Sequence, residues 1–489
     1  MKDNFSGTSW KQEIDVSDFI QTNYIPYQGN SSFLVDPTPR TIDLREKLET
    51  LQKQERENGG VLEVDAHIPS TITSHAPGYI DQDQEIIVGL QTDKPLKRAI
   101  KPRGGVRVVQ KACESYGVEL DPAVQEAFSK HVMTHNDAVF GLYDTWSDFE
   151  TPDGKKLRSK GVITGLPDNY ARGRIIGDYR RVALYGVDKL IEDKHEYLDT
   201  QCKFPLTETM QLREEISWQL KALKDMKTMA HSYGFDIGRP AENFREAVQW
   251  LYFAYLAAVK EQDGAAMSMG RIDAFLDVYA EQDMEDGTLD ESGIQEILDD
   301  FVIKLRLMKH LRMPAYNDIF AGDPTWVTLA LGGMGTDERT LVTKTTFRLL
   351  HSLYNLGPSP EPNLTILWSI NLPQGFKDYV SKVAIDTSAL QFENDDLMQE
   401  QGFGYDYGIA CCVSAMQIGK QMQYFGARCN LAKLLLLCLN EGRDELDSSL
   451  VVDGVQPLEN KETLDYEEVE AQFEVLMDWI CEKYVGTMN

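Results

Sequence analysis

The chain has 489 residues, 42% hydrophobic and 26% charged, which is the composition of a globular protein able to bury a large core. Lys and Arg number 49 against 78 Asp and Glu, a formal net charge of −29. That balance excludes nucleic acid and anionic membrane surfaces as partners, since both need a basic footprint; an anionic ligand would have to meet a local arginine cluster.

In chain order, Met1–Trp10 has no apolar signal-peptide core. Helical charge patterning runs from Asp43 to Glu57 and ends at Gly59-Gly60. Polar, turn-rich segments follow around Pro69–Gly78 and at Lys94–Gly105, the second expected on the surface. The spacing of Val248, Leu251, Tyr252, Tyr255 and Val259 predicts an amphipathic helix over Asn243–Gln262, and a second is expected over Glu291–Met313. Short β-type runs bounded by Gly or Pro alternate with these helices, at Trp326–Ala330, Leu364–Trp368 and on the approach to Cys411. Such alternation predicts an α/β architecture with parallel strands. No internal repeat or linker stands out. Tyr466–Met488 reads as a helix with an apolar stripe at Val469, Phe473, Leu476, Trp479, Ile480 and Tyr484. A stripe at the terminus is expected to pack on structure from further sequence or another chain.

Seven cysteines at irregular spacing argue for reduced thiols in a reducing compartment. The apolar run Leu434–Leu439 is too short to span a bilayer, so a cytoplasmic protein is expected.

Cys411 and Cys412 are adjacent in the apolar stretch Tyr407–Met416. Neighbouring cysteines make strained disulfides and lack zinc-knuckle spacing. They can present two sulfurs to one substrate, one to bond carbon and the other to move a hydrogen atom. The plainer reading is two small buried residues at a strand end. Arg428 follows the aromatic pair Tyr424-Phe425 and could bind a carboxylate bidentately or form a surface ion pair. Ala171–Arg181 holds four arginines among glycines, either an anion site or an ion-paired helix start with Asp178 as one partner. Gly332–Gly335 and Gly264–Ser268 suit close backbone packing around a small buried ligand rather than a nucleotide. Phe320 and Trp326 flank Ala-Gly-Asp-Pro-Thr before a strand, where a core aromatic cluster is the plainer reading. His131 and His135 are four apart but lack a third ligand signal, and no metal is assigned.

Together the segments Thr71–Gly78, Gly173–Gly186, Leu356–Asn363, Leu390–Leu397 and Ile409–Ser414 resemble the pyruvate formate-lyase family of glycyl radical enzymes. The cysteine pair, against a single cysteine in related dehydratases and decarboxylases, points to its 2-oxoacid formate-lyase branch. The resemblance implies an α/β fold: the first part of a ten-stranded barrel of two parallel five-stranded halves, with extensive surrounding helices. Residues 1–489 would be an incomplete family domain, because the C-terminal glycyl radical part with its Arg-Val-Ser-Gly-Tyr motif is absent.

The implied activity is formate C-acetyltransferase, converting pyruvate and coenzyme A to acetyl-CoA and formate. The family matches make Cys411 and Cys412 catalytic and Arg174 and Arg428 the carboxylate-binding pair. Ala265, Phe320, Trp326 and Phe425 would form the pocket wall. No cofactor is bound permanently; the glycyl radical is expected in trans and coenzyme A as co-substrate. The implied partners are a glycyl radical-bearing polypeptide, a radical-SAM activating enzyme and a second copy in a homodimer. Alternatives are a 2-oxobutyrate formate-lyase, a truncated fragment and an inactive scaffold.

Overall fold

The structure is a computed structural model that describes residues 15–102, 106–130, 156–157, 159–164, 173–203, 206–262, 267–314, 325–411, 414–424, 428–460 and 463–488. Its strands are β1 Glu63–Pro69, β2 Lys97–Ile100, β3 Ile163–Thr164, β4 Gly173–Ile175, β5 Thr328–Gly332, β6 Asn363–Trp368, β7 Leu390–Asn394, β8 Tyr407–Ala410, β9 Ser414–Gln417, β10 Met422–Tyr424 and β11 Arg428–Cys429. The chain divides into two compact units, Met1–Val132 with Ile175–Gln421, and Met133–Arg174 with Met422–Asn489.

In the first unit the helix Phe244–Glu261 lies within one residue of its expected bounds. Asn243 caps it through the Glu246 amide at 2.9 Å, and Glu246 itself pairs with Arg239 at 2.6 Å, placing negative charge at the positive helix end. It is not amphipathic: Trp250, Phe253 and Leu256 are as buried as the predicted stripe, and helices pack around it. Gln249 faces inward with a partner, accepting from and donating to the Val88 backbone at 2.8 and 2.9 Å. The helix expected to reach Met313 ends at Arg306. There the Arg306 guanidinium is drawn to the carbonyls of Leu356 and Gly357, and the Lys309 amide is taken by Gln91 Oε1 at 2.9 Å, so the helical ladder cannot continue.

Lys97–Ile100 was expected in a surface turn. It is instead a buried strand, parallel to β1. Its cations fold inward because partners wait there: Lys97 meets Asp65 at 2.9 Å and Asp93 at 3.0 Å, and Arg98 meets Glu55 at 2.7 Å.

β5, β6 and β7 form a parallel sheet in that order, as the pattern of short apolar runs predicted for the first two. β5 starts two residues later than expected, after Trp326, whose φ of +50° is not strand backbone. β7 was not predicted; its alternation of Leu390, Phe392 and Asn394 with Gln391 and Glu393 is that of a strand with one polar face. β8 does not extend this sheet in the parallel sense. It turns back on β9 as an antiparallel hairpin with Cys411 at the turn.

In the second unit β11 pairs antiparallel with β3, and β10 pairs with β4. The helix Tyr466–Met488 is as predicted. Its stripe was expected to need structure from elsewhere; the part from Val469 to Ile480 is covered within the unit, and the Tyr484 side chain lies outside the described residues. Leu476 and Ile480 are buried against Leu434, Leu437 and Cys438 of the helix Leu431–Leu439 and against Val451 and Val452, with Val469, Phe473 and Trp479 at the margin.

Candidate active site

Cys411 directly follows β8, at the hairpin turn. It is 7% exposed and has φ +62°, a left-handed conformation that a side chain disfavours. Two side chains from the parallel sheet hold it there. Thr328 Oγ1, at the start of β5, donates to the Cys411 carbonyl at 2.8 Å, and Asn363 Nδ2, at the start of β6, donates to the same oxygen at 3.0 Å. Both of that carbonyl's lone pairs are thus directed.

Around the turn lies a small apolar cluster of Ile176, Ala410, Cys411, Met416 and Ile418, with Trp326 half-buried against it. Trp326 is the second left-handed residue here. Its two neighbours are held by one carboxylate: Glu361 Oε1 accepts the amide of Thr325 at 2.8 Å and of Val327 at 3.4 Å. Burial pushes the Glu361 carboxyl up to about 7, against the pull of Lys309 and of the amides of Trp326, Val327 and Thr325. Backbone strain at two adjacent, non-glycine positions in one apolar cluster is the kind found where a structure serves chemistry.

The base of the hairpin is fixed electrostatically. Arg180 is 1% exposed; it donates to both oxygens of Asp406, at 2.8 and 2.9 Å, and to both of Asp178, at 2.7 and 3.2 Å. Burial raises the pKa of Asp406, but Arg180 outweighs it and holds the carboxyl below its ordinary value. Arg271 donates to the carbonyls of Tyr405 and Gly332. Gly408 has no room for a side chain, because a Cβ would come within 3.0 Å of the Gly270 backbone and 2.9 Å of Ile176. The hairpin is therefore clamped at its base and pinned at its tip.

Of the predicted site residues, the structure brings Cys411 and Trp326 into one cluster. Cys412, Ala265, Phe320 and Phe425 lie outside the described residues, as do His131 and His135. Arg174 lies in β4 and Arg428 opens β11, both in the second unit and both described at the backbone only. The arginine-rich stretch resolves at Arg180 as the ion-paired helix start, with Asp178 as partner. Close packing holds at both glycines: a Cβ on Gly333 would meet Arg271 Nη2 at 2.4 Å, and one on Gly332 would meet Phe376 and Val342 at 3.3 Å. Sequence reasoning missed Thr328, Asn363 and Glu361. Their only signal was membership in the segments Trp326–Ala330 and Leu356–Asn363, and nothing in residue type marked them as supports of Cys411.

Residues 9–489 match the family described as pyruvate formate lyase-like. The chain is 52% identical over 490 residues to formate acetyltransferase of Haemophilus influenzae, an alignment that takes in 99% of this chain and 63% of that protein. It therefore spans less than two thirds of that relative's length. Among solved structures, the glycerol-bound B12-independent glycerol dehydratase from Clostridium butyricum superposes with a TM-score of 0.74 at 18% identity, over 94% of this chain and 64% of the other. A glycyl radical enzyme from Archaeoglobus fulgidus superposes with a TM-score of 0.61 at 17% identity, over 94% and 63%. At such identity these neighbours show the fold, a mixed α/β architecture shared with glycyl radical enzymes. The match along residues 9–489 shows that the chain belongs to the pyruvate formate lyase-like family.

Proposed function

We propose that residues 1–489 form one pyruvate formate-lyase-like domain and carry the cysteine-bearing part of a formate C-acetyltransferase. The enzyme converts pyruvate and coenzyme A to acetyl-CoA and formate. The observation that carries this reading is Cys411 itself, a buried cysteine held in a left-handed turn by Thr328 and Asn363 on a chain 52% identical to a formate acetyltransferase.

A glycyl radical, carried on sequence other than these 489 residues and generated by a radical-SAM activating enzyme, supplies hydrogen-atom abstraction. The cysteines do the rest. As a thiyl, Cys411 bonds the keto carbon of pyruvate and the adjacent C–C bond breaks. The acetyl group stays on Cys411 as a thioester. The one-carbon radical takes a hydrogen atom from Cys412 and leaves as formate, and the Cys412 sulfur would regain a hydrogen atom from the radical-bearing sequence, which returns the unpaired electron there. Coenzyme A then exchanges onto the acetyl group and returns Cys411 to the thiol. A covalent intermediate splits a difficult cleavage into two easier steps.

Arg174 and Arg428 hold the substrate carboxylate in this reading, on the strength of their motifs. Ala265, Phe320, Trp326 and Phe425 form the wall that keeps water from the radicals. The enzyme acts in the cytoplasm as a homodimer. The test is anaerobic activation of this chain with the radical-bearing sequence, followed by pyruvate and coenzyme A. Formate release and a mass shift of one acetyl group on the Cys411 peptide are expected. Absence of both would overturn the assignment, and turnover of 2-oxobutyrate in place of pyruvate would move it to the neighbouring 2-oxoacid.

A further inference from the structure

Glu361 is 7% exposed and sits two residues before the start of β6. Its Oε1 receives the Thr325 and Val327 amides, while Oε2 has no hydrogen-bond partner among the described residues. The Thr325 and Val327 amides, one on each side of Trp326, converge on the single oxygen Oε1. Successive N–H groups around a left-handed residue form a concavity suited to an anion. Trp326, at φ +50°, is left-handed. The left-handed turn and the carboxylate thus occur together in one arrangement.

The neighbouring segments leave the turn little freedom. Thr325 Oγ1 donates to the Met308 carbonyl at 2.9 Å, the Thr325 carbonyl accepts from the Met267 amide at 3.1 Å, and the Val327 carbonyl accepts from the Asn363 amide at 2.7 Å. Trp326 lies between these anchors, and its own amide also bears on the Glu361 carboxylate. The same short segment serves Cys411: Glu361 sets the Trp326 turn, and Asn363, two residues on, holds the Cys411 carbonyl.

We propose that Glu361 is a positioning residue of the reaction: its carboxylate fixes the left-handed turn at Trp326 and so sets the aromatic wall against Cys411 where pyruvate binds. This rests on the function proposed above for Cys411. The charged and titratable groups brought to Glu361 among the described residues are Lys309, from the segment after the helix Glu291–Arg306, and Tyr255, from the helix Phe244–Glu261. Burial has moved the carboxyl to about 7, so its charge changes across neutral pH. The ionised form grips the amides more strongly, since a charged acceptor roughly doubles the strength of a hydrogen bond. The wall is fixed above neutrality and loosened below it.

The experiment uses the activated enzyme, this chain with its radical-bearing sequence. Glu361→Gln keeps the shape and the acceptor but loses the charge. It should raise KM for pyruvate about tenfold, the equivalent of one weakened charge-assisted hydrogen bond, with a smaller change in kcat. In a Trp326→Phe background the same substitution should change KM no further, because the pair acts as one unit. A purely structural Glu361 would lower the melting temperature and the active fraction yet leave KM unchanged in both backgrounds, and that result overturns the proposal.

A second arm does not depend on the reaction. The near-ultraviolet circular dichroism of this chain, minus that of Trp326→Phe, isolates the signal of Trp326. It should change between about pH 6 and pH 8 in the wild type and stay flat in Glu361→Gln. If the wild type makes no formate, the proposed activity fails while this arm still decides the role of Glu361. If Glu361→Gln does not fold, a wild-type signal constant across that pH range is itself enough to overturn the role.

Discussion

Asn363 Nδ2 lies 3.0 Å from the Cys411 carbonyl, so a side chain at the start of β6 fixes the backbone of a residue 48 positions later. Asn363→Ala leaves a buried carbonyl with one donor fewer, at a cost of about 1–3 kcal/mol in stability. The loss of kcat should exceed what that destabilisation explains, because the turn can relax from its left-handed form. Thr328→Val, which removes the other donor with little change of shape, should act in the same direction. Thermal melts beside initial rates would check both; variants that melt early but turn over normally would make these contacts structural only.

Cys411→Ser should abolish acetyl-enzyme formation and formate release, since an alkoxyl radical is not accessible from a serine under the same conditions. Cys412→Ser should also stop turnover, because the hydrogen relay fails. Both variants should melt within about 1 kcal/mol of the wild type, the change being a single sulfur. Pyruvate-dependent formate from either variant would remove that cysteine from the mechanism.

Arg428→Lys and Arg174→Lys keep the charge and lose the planar fork. Each should raise KM for pyruvate by at least about tenfold, the loss of one bidentate hydrogen bond. Unchanged kinetic constants in both would leave them as ion-pairing residues of the second unit.

The Arg180–Asp406 pair carries a pH dependence. The Asp406 carboxyl is held below its ordinary value, so it binds fewer protons in the native state than in the unfolded one. Stability from this group is present above the unfolded carboxylate range and is lost as pH falls through the lowered value. Asp406→Asn should flatten that acid limb. It should also cost about 1–3 kcal/mol at neutral pH, because buried Arg180 loses one of its two carboxylate partners while keeping Asp178 and the Arg271 carbonyl. Denaturant melts across the acid range read both effects.

These 489 residues activated alone should give no glycyl-type doublet in electron paramagnetic resonance, since they contain no Arg-Val-Ser-Gly-Tyr segment. A doublet from the chain alone would show that the radical resides on one of its own residues.

The sequence revealed those elements in which local pattern and tertiary environment agree. Tyr466–Met488 and Asn363–Trp368 are of this kind, with one face or all faces apolar as written. It misled where side chains have partners far along the chain. Lys97 and Arg98 look like surface cations until Asp65 and Glu55 are seen beside them, and Glu291–Met313 looks like one helix until Gln91 takes an amide from it. The candidate cysteine was legible from its neighbour and its motif. Its supports were not, because Thr328, Asn363 and Glu361 act through backbone atoms, and which carbonyl or amide a polar side chain meets across 34 to 83 residues is set by topology.

The two anchors of the Cys411 carbonyl also order events during folding. Each closes a long loop, one of 83 residues to Thr328 and one of 48 to Asn363, and each requires its strand to lie beside the hairpin. Long-range closures of this kind come late. During refolding Cys411 is thus an ordinary, accessible thiol and becomes hidden only as the last step of assembly. Pulsed alkylation read at the Cys411 peptide would time that step, and labelling that ends before the sheet forms would show that the hairpin closes on its own.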